Sequence, residues 1–293
     1  MTAGAAGAMV WLDGALMPLE QARVSVDDLG FLYGAACFET MRAAGGVAFR
    51  LERHLERFER GLRMLRVPPP PRARLRAAID ATLAANGLRD ARVRLTVSAG
   101  RGDGRPDLTA ALAPVVLVSA VPLPPAPGPA RLAVASLRID ARRPLREAKT
   151  ANYLPSLLAL AEAREAGCDD ALLLTHEGHV AEAATANLFA VIGGALVTPP
   201  LDDGPLPGVT REVVLACARS LGLAVEERSL TLEAIGAAHE LLLTSSVSGV
   251  RAVRAVVGRW QAAVTPGPVT AALAAAYEAL VRAECGERGP AAR

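Results

Sequence analysis

Val121-Pro122-Leu123-Pro124-Pro125-Ala126-Pro127-Gly128-Pro129 puts five prolines into nine residues. Such a run is stiff and extended, and it lacks the backbone donors that a sheet interior needs. It predicts a break between two domains. Residues 1–121 form a smaller N-terminal α/β domain, 122–130 a Pro-rich linker, and 131–293 a larger C-terminal α/β domain. A chain of 293 residues suits two domains of ordinary size, each with its own core.

Upstream of the break, Val10-Trp11-Leu12, Asp13-Gly14 and Ala15 to Met17 read as a hairpin. Val47 to Arg50 reads as a short strand. Leu51, Leu55, Phe58, Leu62 and Leu65 then recur at helical spacing until Pro68 to Pro71 ends the helix. A second helix covers about Ala73 to Ala85 and closes on Asn86-Gly87. Val93, Leu95 and Val97 alternate with Arg94, Thr96 and Ser98 as in a half-exposed strand, and Val115 to Val121 reads as a buried one. Downstream, strands are predicted at Arg131 to Ser136, Ala171 to Thr175, Asn187 to Ile192 and Glu240 to Thr244. Helices are predicted at about Tyr153 to Glu165, Gly208 to Leu221 and Ala271 to Cys285. Strands, helices and hairpins are mixed in both halves. The fold class is therefore α/β of the α+β type, not a doubly wound parallel sheet.

Composition excludes several functions. The 32 basic and 30 acidic residues leave a net charge of +2, which gives no electrostatic draw toward nucleic acid or an anionic membrane. Hydrophobic residues make up 52% of the chain, too many for intrinsic disorder. The four cysteines form no CxxC pair, so neither a zinc site nor a disulfide framework is expected. Met1 to Val10 lacks a basic start and an apolar core, so it is expected to be a frayed terminus and not a signal peptide. The uncharged run Ala110 to Ala130 is broken by prolines and does not read as a membrane span. A cytoplasmic protein is expected.

One count points toward chemistry. Of the 32 basic residues, only Lys149 is lysine. The chain uses arginine wherever charge alone is needed. A lysine can lose its proton and become a nucleophile or base, which an arginine cannot do. The alternative is a surface lysine that escaped the bias. A reactive lysine needs a carbonyl partner, and the commonest is pyridoxal phosphate. Its phosphate calls for N–H groups at a helix start and an arginine; its pyridine nitrogen calls for a carboxylate; its phenolate calls for a donor. Leu206-Pro207-Gly208-Val209-Thr210-Arg211 turns into a helix and is a candidate anion site. Glu182 lies after a strand among small residues, Arg57 beside the apolar stripe of the Leu51 helix, and Thr244-Ser245-Ser246 at a strand end. Each of these, taken alone, reads better as a surface or capping residue.

Their order along the chain resembles the class IV aminotransferases, the fold-type IV pyridoxal-phosphate enzymes. That family includes branched-chain and D-amino acid aminotransferases and 4-amino-4-deoxychorismate lyases. The matching segments are Asp28-Leu29-Gly30-Phe31-Leu32-Tyr33-Gly34 through Phe38-Glu39-Thr40-Met41-Arg42, Arg53-His54-Leu55-Glu56-Arg57, and Lys149-Thr150-Ala151-Asn152-Tyr153-Leu154. They continue with Glu182 through Asn187-Leu188-Phe189, Leu206 to Arg211, and Thr244-Ser245-Ser246. The resemblance implies a two-domain, D-amino acid aminotransferase-like fold and a homodimer, with pyridoxal 5′-phosphate as cofactor. It implies that Lys149 is the Schiff-base lysine and shuttles a proton between the substrate Cα and C4′. Glu182 would face the pyridine nitrogen. Arg57, the N–H groups of Val209 and Thr210, and Ser246 would hold the phosphate, and Tyr153 would approach the phenolate.

By the same likeness Tyr33, Phe38, Thr40, Arg42, Arg94 and Arg105 belong to the substrate side. The expected activity is amino transfer from an amino acid or amine to a 2-oxo acid. The alternative is 4-amino-4-deoxychorismate lyase, because Thr40 and the three-residue step from Lys149 to Asn152 resemble that group. Ala99 stands where D-amino acid enzymes carry a carboxylate-binding arginine. Ala35-Ala36 and Gly249 also depart from common transaminase residues. A cofactor-binding homologue without turnover is the reading from another class, and the intact Lys149 and Glu182 argue against it.

Overall fold

The computed structural model describes residues 7–103, 105, 107–108 and 113–286. They fall into two compact units. The first runs to Pro124 and takes in Ala148–Asn152 and the chain from Val281; the second holds Pro125–Glu147 and Tyr153–Leu280. The expectation for Met1 to Val10 lies largely outside the described residues, although Met9 and Val10 are paired in a strand.

The first unit contains β1 (Met9–Leu12), β2 (Ala15–Pro18), α1 (Leu29–Tyr33), β3 (Ala36–Ala44), β4 (Val47–Ala48), α2 (Leu51–Met64), α3 (Arg72–Ala85), β5 (Ala91–Ser98) and β6 (Val115–Pro122). Its sheet is antiparallel, in the order β2-β1-β6-β5-β3-β4. The hairpin, the two helices and the alternation of β5 lie where the hydrophobic pattern puts them. Val93, Leu95 and Val97 are buried, and so are Leu51, Leu55, Phe58 and Leu62 of α2. The strand expected over Val47 to Arg50 stops at Ala48, and Arg50 takes a left-handed backbone (φ 54°) as the helix begins.

The short segment around Lys149 runs beside β3. The Phe38 N–H donates to the Lys149 carbonyl at 2.9 Å, and the Ala151 N–H donates to the Ala36 carbonyl at 2.8 Å. The lysine, expected on the C-terminal domain, therefore belongs to the first unit. The physical reason is that β3 supplies partners for backbone groups that would otherwise be unpaired. Asn152 Nδ2 ties the end of the segment to the Gly34 carbonyl at 3.1 Å. Gly34 has φ 69°, and a side chain there would collide with Asn152.

The second unit contains β7 (Ala130–Ile139), α4 (Leu154–Glu165), β8 (Asp170–Thr175), β9 (Val180–Ala183), β10 (Asn187–Ile192), β11 (Ala195–Thr198), α5 (Val209–Ser220), β12 (Val225–Glu227), α6 (Leu232–Gly236), β13 (Glu240–Ser245), β14 (Gly249–Val256), β15 (Trp260–Gln261) and the greater part of α7 (Pro268–Gly286). The sheet order is β12-β11-β10-β13-β14-β7-β8-β9, with β15 on β14. It is mixed: β14 with β7, β7 with β8 and β11 with β12 are parallel, and the other pairs are antiparallel. Helix α5 covers one face through Val214, Leu215 and Ala218, which meet Phe189, Val191 and Leu242.

Three expectations change here. Glu182 lies within β9, not after a strand, because the small residues around it pair with β8. Strand β7 extends three residues past Ser136. Strand β14 is not expected from the sequence, since Arg251 and Arg254 interrupt the apolar alternation that would mark it. Among the described residues, no helix is long and apolar enough to cross a membrane, and no group of His, Cys, Asp or Glu is placed to hold a metal ion.

Phe58 is 2% exposed at the contact of α2 with the sheet. Replacing it by alanine is expected to lower the unfolding free energy by about 3–5 kcal/mol, measured by urea titration. A change below about 1 kcal/mol would contradict this packing.

Candidate active site

The pleat of β3 sends Cys37, Glu39 and Met41 to one face and Phe38, Thr40 and Arg42 to the other. On the first face Glu39 is 1% exposed. Arg57 reaches it from α2, with Nε donating to Oε1 at 2.8 Å and Nη2 to Oε2 at 2.6 Å. His54 Nδ1 lies 2.7 Å from the same Oε2. Burial pushes the Glu39 carboxyl up, but the Arg57 and His54 contacts outweigh it and bring its pKa to about 2. Burial lowers the pKa of His54, and the charges of Arg57 and Lys149 add to this against the pull of Glu39. A neutral His54 facing a carboxylate carries its proton on Nδ1 and donates it. The Cys37 thiol is pushed up to about 12 by burial and by Glu39, so it is an inert core group.

The second face of β3 is different. Lys149 Nζ lies 4.4 Å from the centre of the Phe38 ring, and the Arg94 guanidinium carbon lies 3.9 Å from it. Thr40 pairs across the ladder with Arg94, and Arg42 with Arg92. The ring thus carries two cations at cation–π distance, in a setting suited to an anionic ligand. Tyr33 ends α1 and is exposed. Arg105 is also exposed, and it pairs with Asp103 and Asp107 of its own loop. The structure therefore groups Phe38, Arg94 and Lys149. Asp28, which accepts from the N–H groups of Gly30 and Phe31 and from Ser98 Oγ, anchors the start of α1.

In the second unit, Glu182 Oε2 accepts from the Leu206 N–H at 3.0 Å and from Asn187 Nδ2 at 3.3 Å. Asn187 Nδ2 also donates to the Leu206 carbonyl at 2.9 Å. The turn before α5 is thereby fastened to β9 and β10. A Cβ on Gly208 would strike Asn187 Oδ1, so only glycine lets the turn lie this close. Helix α5 starts at Gly208 without a side-chain cap, and Val209 and Thr210 are its first, buried residues. Thr244 stands opposite Asn187 in the β13–β10 ladder, and its buried Oγ1 has no hydrogen-bond partner. Ser246 follows in a half-buried turn. Tyr153 precedes α4, and its hydroxyl donates to the Ala184 carbonyl at 2.8 Å.

Arg57 taken alone reads from sequence as a solvated helix residue, yet it is 5% exposed. Sequence reasoning missed Glu39, His54 and Asn187. All three lie inside the quoted motifs. The signal for Glu39 was a carboxylate in the apolar stretch Ala35 to Met41. Such a group needs a cation, and Arg57 is the one that packs against it.

An uncapped helix start, an unsatisfied buried hydroxyl and a carboxylate fastened by an N–H and an amide are the donors and acceptor that a phosphorylated pyridine requires. The residues present fit pyridoxal 5′-phosphate. A family model described as amino-transferase class IV matches residues 36–256. A protein of Methanocaldococcus jannaschii, provisionally named a branched-chain-amino-acid aminotransferase, is 36% identical over 256 residues, covering 85% of this chain and 88% of that one. The aminodeoxychorismate lyase of Bacillus subtilis is 34% identical over 247 residues, covering 82% and 83%. The crystal structure of the T.th. branched-chain amino acid aminotransferase with pyridoxamine 5′-phosphate superposes with a TM-score of 0.85 at 32% identity, covering 96% of this chain and 95% of that one.

The Glu39 cluster has a pH signature. Its folded pKa of about 2 lies below its ordinary 4.5. The stabilisation is therefore present above about pH 4.5 and is lost as pH falls toward 2. Urea titrations at several pH values are expected to show this loss in the wild type and a flatter profile in Glu39→Gln. Identical profiles would remove the cluster as its source.

Proposed function

The chain belongs to the class IV aminotransferases, and from that membership we propose that it moves the amino group of a branched-chain or similarly apolar amino acid to a 2-oxo acid. It is a pyridoxal-phosphate-dependent transaminase. The names of its branched-chain relatives support the substrate class. The observation that carries the reading is the placement of the chain's single lysine. Lys149 is stitched to β3 by its carbonyl, and its amine lies against Phe38.

The cofactor, when bound, supplies a carbonyl for amines and an electron-accepting ring. Lys149 is the residue that joins it covalently. Once displaced from the cofactor by the substrate's amino group, the same amine, unprotonated, would carry the proton between the substrate α-carbon and C4′. Glu182, held by Leu206 and Asn187, would accept a hydrogen bond from the pyridine nitrogen and keep its proton in place. The N–H groups of Val209 and Thr210 and the hydroxyl of Ser246 would hold the phosphate, with Arg57 adding its charge. Tyr153, whose hydroxyl donates to the Ala184 carbonyl, would approach the phenolate. Phe38, Thr40, Arg42 and Arg94 face the substrate, with Tyr33 and Arg105 at its margin. In this reading the Pro-rich stretch over residues 122–130 is one of the places where the chain passes from the N-terminal to the C-terminal domain.

The working unit in this reading is a homodimer. Val26, Phe31, Leu154, Leu157 and Leu158 are exposed apolar side chains that a second copy would cover. The buried thiols of Cys37 and Cys168 accord with a reducing cytoplasm. A second reading is supported by the similarity to the Bacillus subtilis lyase, together with Thr40 and the Lys149–Asn152 spacing. In that reading the same lysine serves pyruvate release from aminodeoxychorismate.

Borohydride reduction of the holoenzyme followed by peptide mapping is expected to place the cofactor on Lys149. Lys149→Arg keeps the charge but is expected to lose the covalent adduct and roughly a thousandfold or more of the turnover. An adduct elsewhere, or normal turnover, would overturn the assignment. A donor screen with both hands of each amino acid is expected to favour leucine, isoleucine and valine with 2-oxoglutarate. Pyruvate released from aminodeoxychorismate without an acceptor would select the lyase.

A further inference from the structure

Glu39 has no role in the proposed function, yet it is among the most completely buried charges of the first unit. A carboxylate is costly to bury unless every oxygen is paired. Here both oxygens are taken by cationic or neutral donors on α2: Oε1 by Arg57 Nε, and Oε2 by Arg57 Nη2 and His54. Two parallel N–H···O bonds fix the plane of the Arg57 guanidinium as well as its position. His54, one turn back on α2, holds the carboxylate from the other side. Glu39 itself cannot swing, because β3 is paired with β5 from Ala36 to Ala43.

We propose that Glu39 is a positioning residue for the cofactor phosphate, acting through Arg57, with His54 bracing the carboxylate. This rests on the reading that places Arg57 at the phosphate. A guanidinium free to rotate would bind an anion from many rotamers and lose side-chain entropy on doing so. Locked by Glu39, it has already lost that entropy and meets the phosphate in one orientation. Glu39 touches neither substrate nor cofactor in this proposal.

The test compares two ligands that differ only in the phosphate. Apoenzyme is titrated with pyridoxal 5′-phosphate and with pyridoxal, and the ratio of the two dissociation constants is the readout. Arg57→Gln is expected to reduce the preference for the phosphorylated ligand by roughly tenfold or more, the scale of one charged hydrogen bond. Glu39→Gln is expected to reduce it by a similar factor while pyridoxal binds as in the wild type. The double variant is expected to match Arg57→Gln, since both changes remove the same contact. If Glu39→Gln does not fold, His54→Gln, which loses one of the three bonds, is expected to reduce the ratio by a smaller factor.

The outcomes separate the two ideas. An unchanged ratio in Arg57→Gln would overturn the phosphate role of Arg57 and this inference with it. A reduced ratio in Arg57→Gln beside an unchanged ratio in Glu39→Gln, or in His54→Gln where that is the folded variant, would overturn the positioning role alone. Equal weakening of pyridoxal and its phosphate in Glu39→Gln would show a merely structural carboxylate and also overturn it.

Discussion

The alternation of side chains along β3 is the constraint on which the first unit depends. A strand presents successive residues to opposite faces. In β3 that rule separates Cys37, Glu39 and Met41, which meet α2, from Phe38, Thr40 and Arg42, which share a face with Arg94 and Lys149. A slip of one residue would exchange the two sets. It would carry Glu39 away from Arg57 and leave a buried carboxylate without a cation. The register is therefore held by charge as well as by apolar packing. The same strand supplies the backbone partners that place the lysine segment.

The second unit uses polar groups in a comparable way. Asn187 is at once a member of the β10 ladder, a partner of Glu182 and a donor to the Leu206 carbonyl. It fastens a turn whose N–H groups would otherwise be mobile. Gly208 permits the close approach, because any side chain there would meet Asn187. The result is a helix start with unfilled donors and, on the neighbouring strand, a buried Thr244 hydroxyl without a partner. Stable proteins seldom leave such groups unsatisfied, and a phosphate-bearing ligand is the class of partner that answers them.

Much of the architecture was legible because apolar spacing reports burial directly. The α2 stripe from Leu51 to Leu62 and the β5 alternation follow from it. Strand β9 was not legible, since Val180 to Ala183 is too short and too rich in alanine to show a period. Strand β14 was hidden by its arginines, which sit on a ladder although they break the pattern. The site was legible as an ordered set of motifs and not as geometry. Arg57 and Glu182 each read as ordinary surface charges, because nothing local distinguishes a paired buried charge from a solvated one.

Sequence by itself determined the two-part α/β organisation and, through the order of its motifs, the family, and it singled out Lys149 as the one lysine of the chain, because residue identity and order are carried along the chain. Tertiary structure alone decided which charges are buried and with whom. It brought Glu39 to Arg57 and His54 across 15 to 18 positions of sequence, and it set Lys149 beside β3, more than a hundred residues upstream of it. The reason is that the cost of burying a charge depends on partners that only the folded chain brings within hydrogen-bond reach.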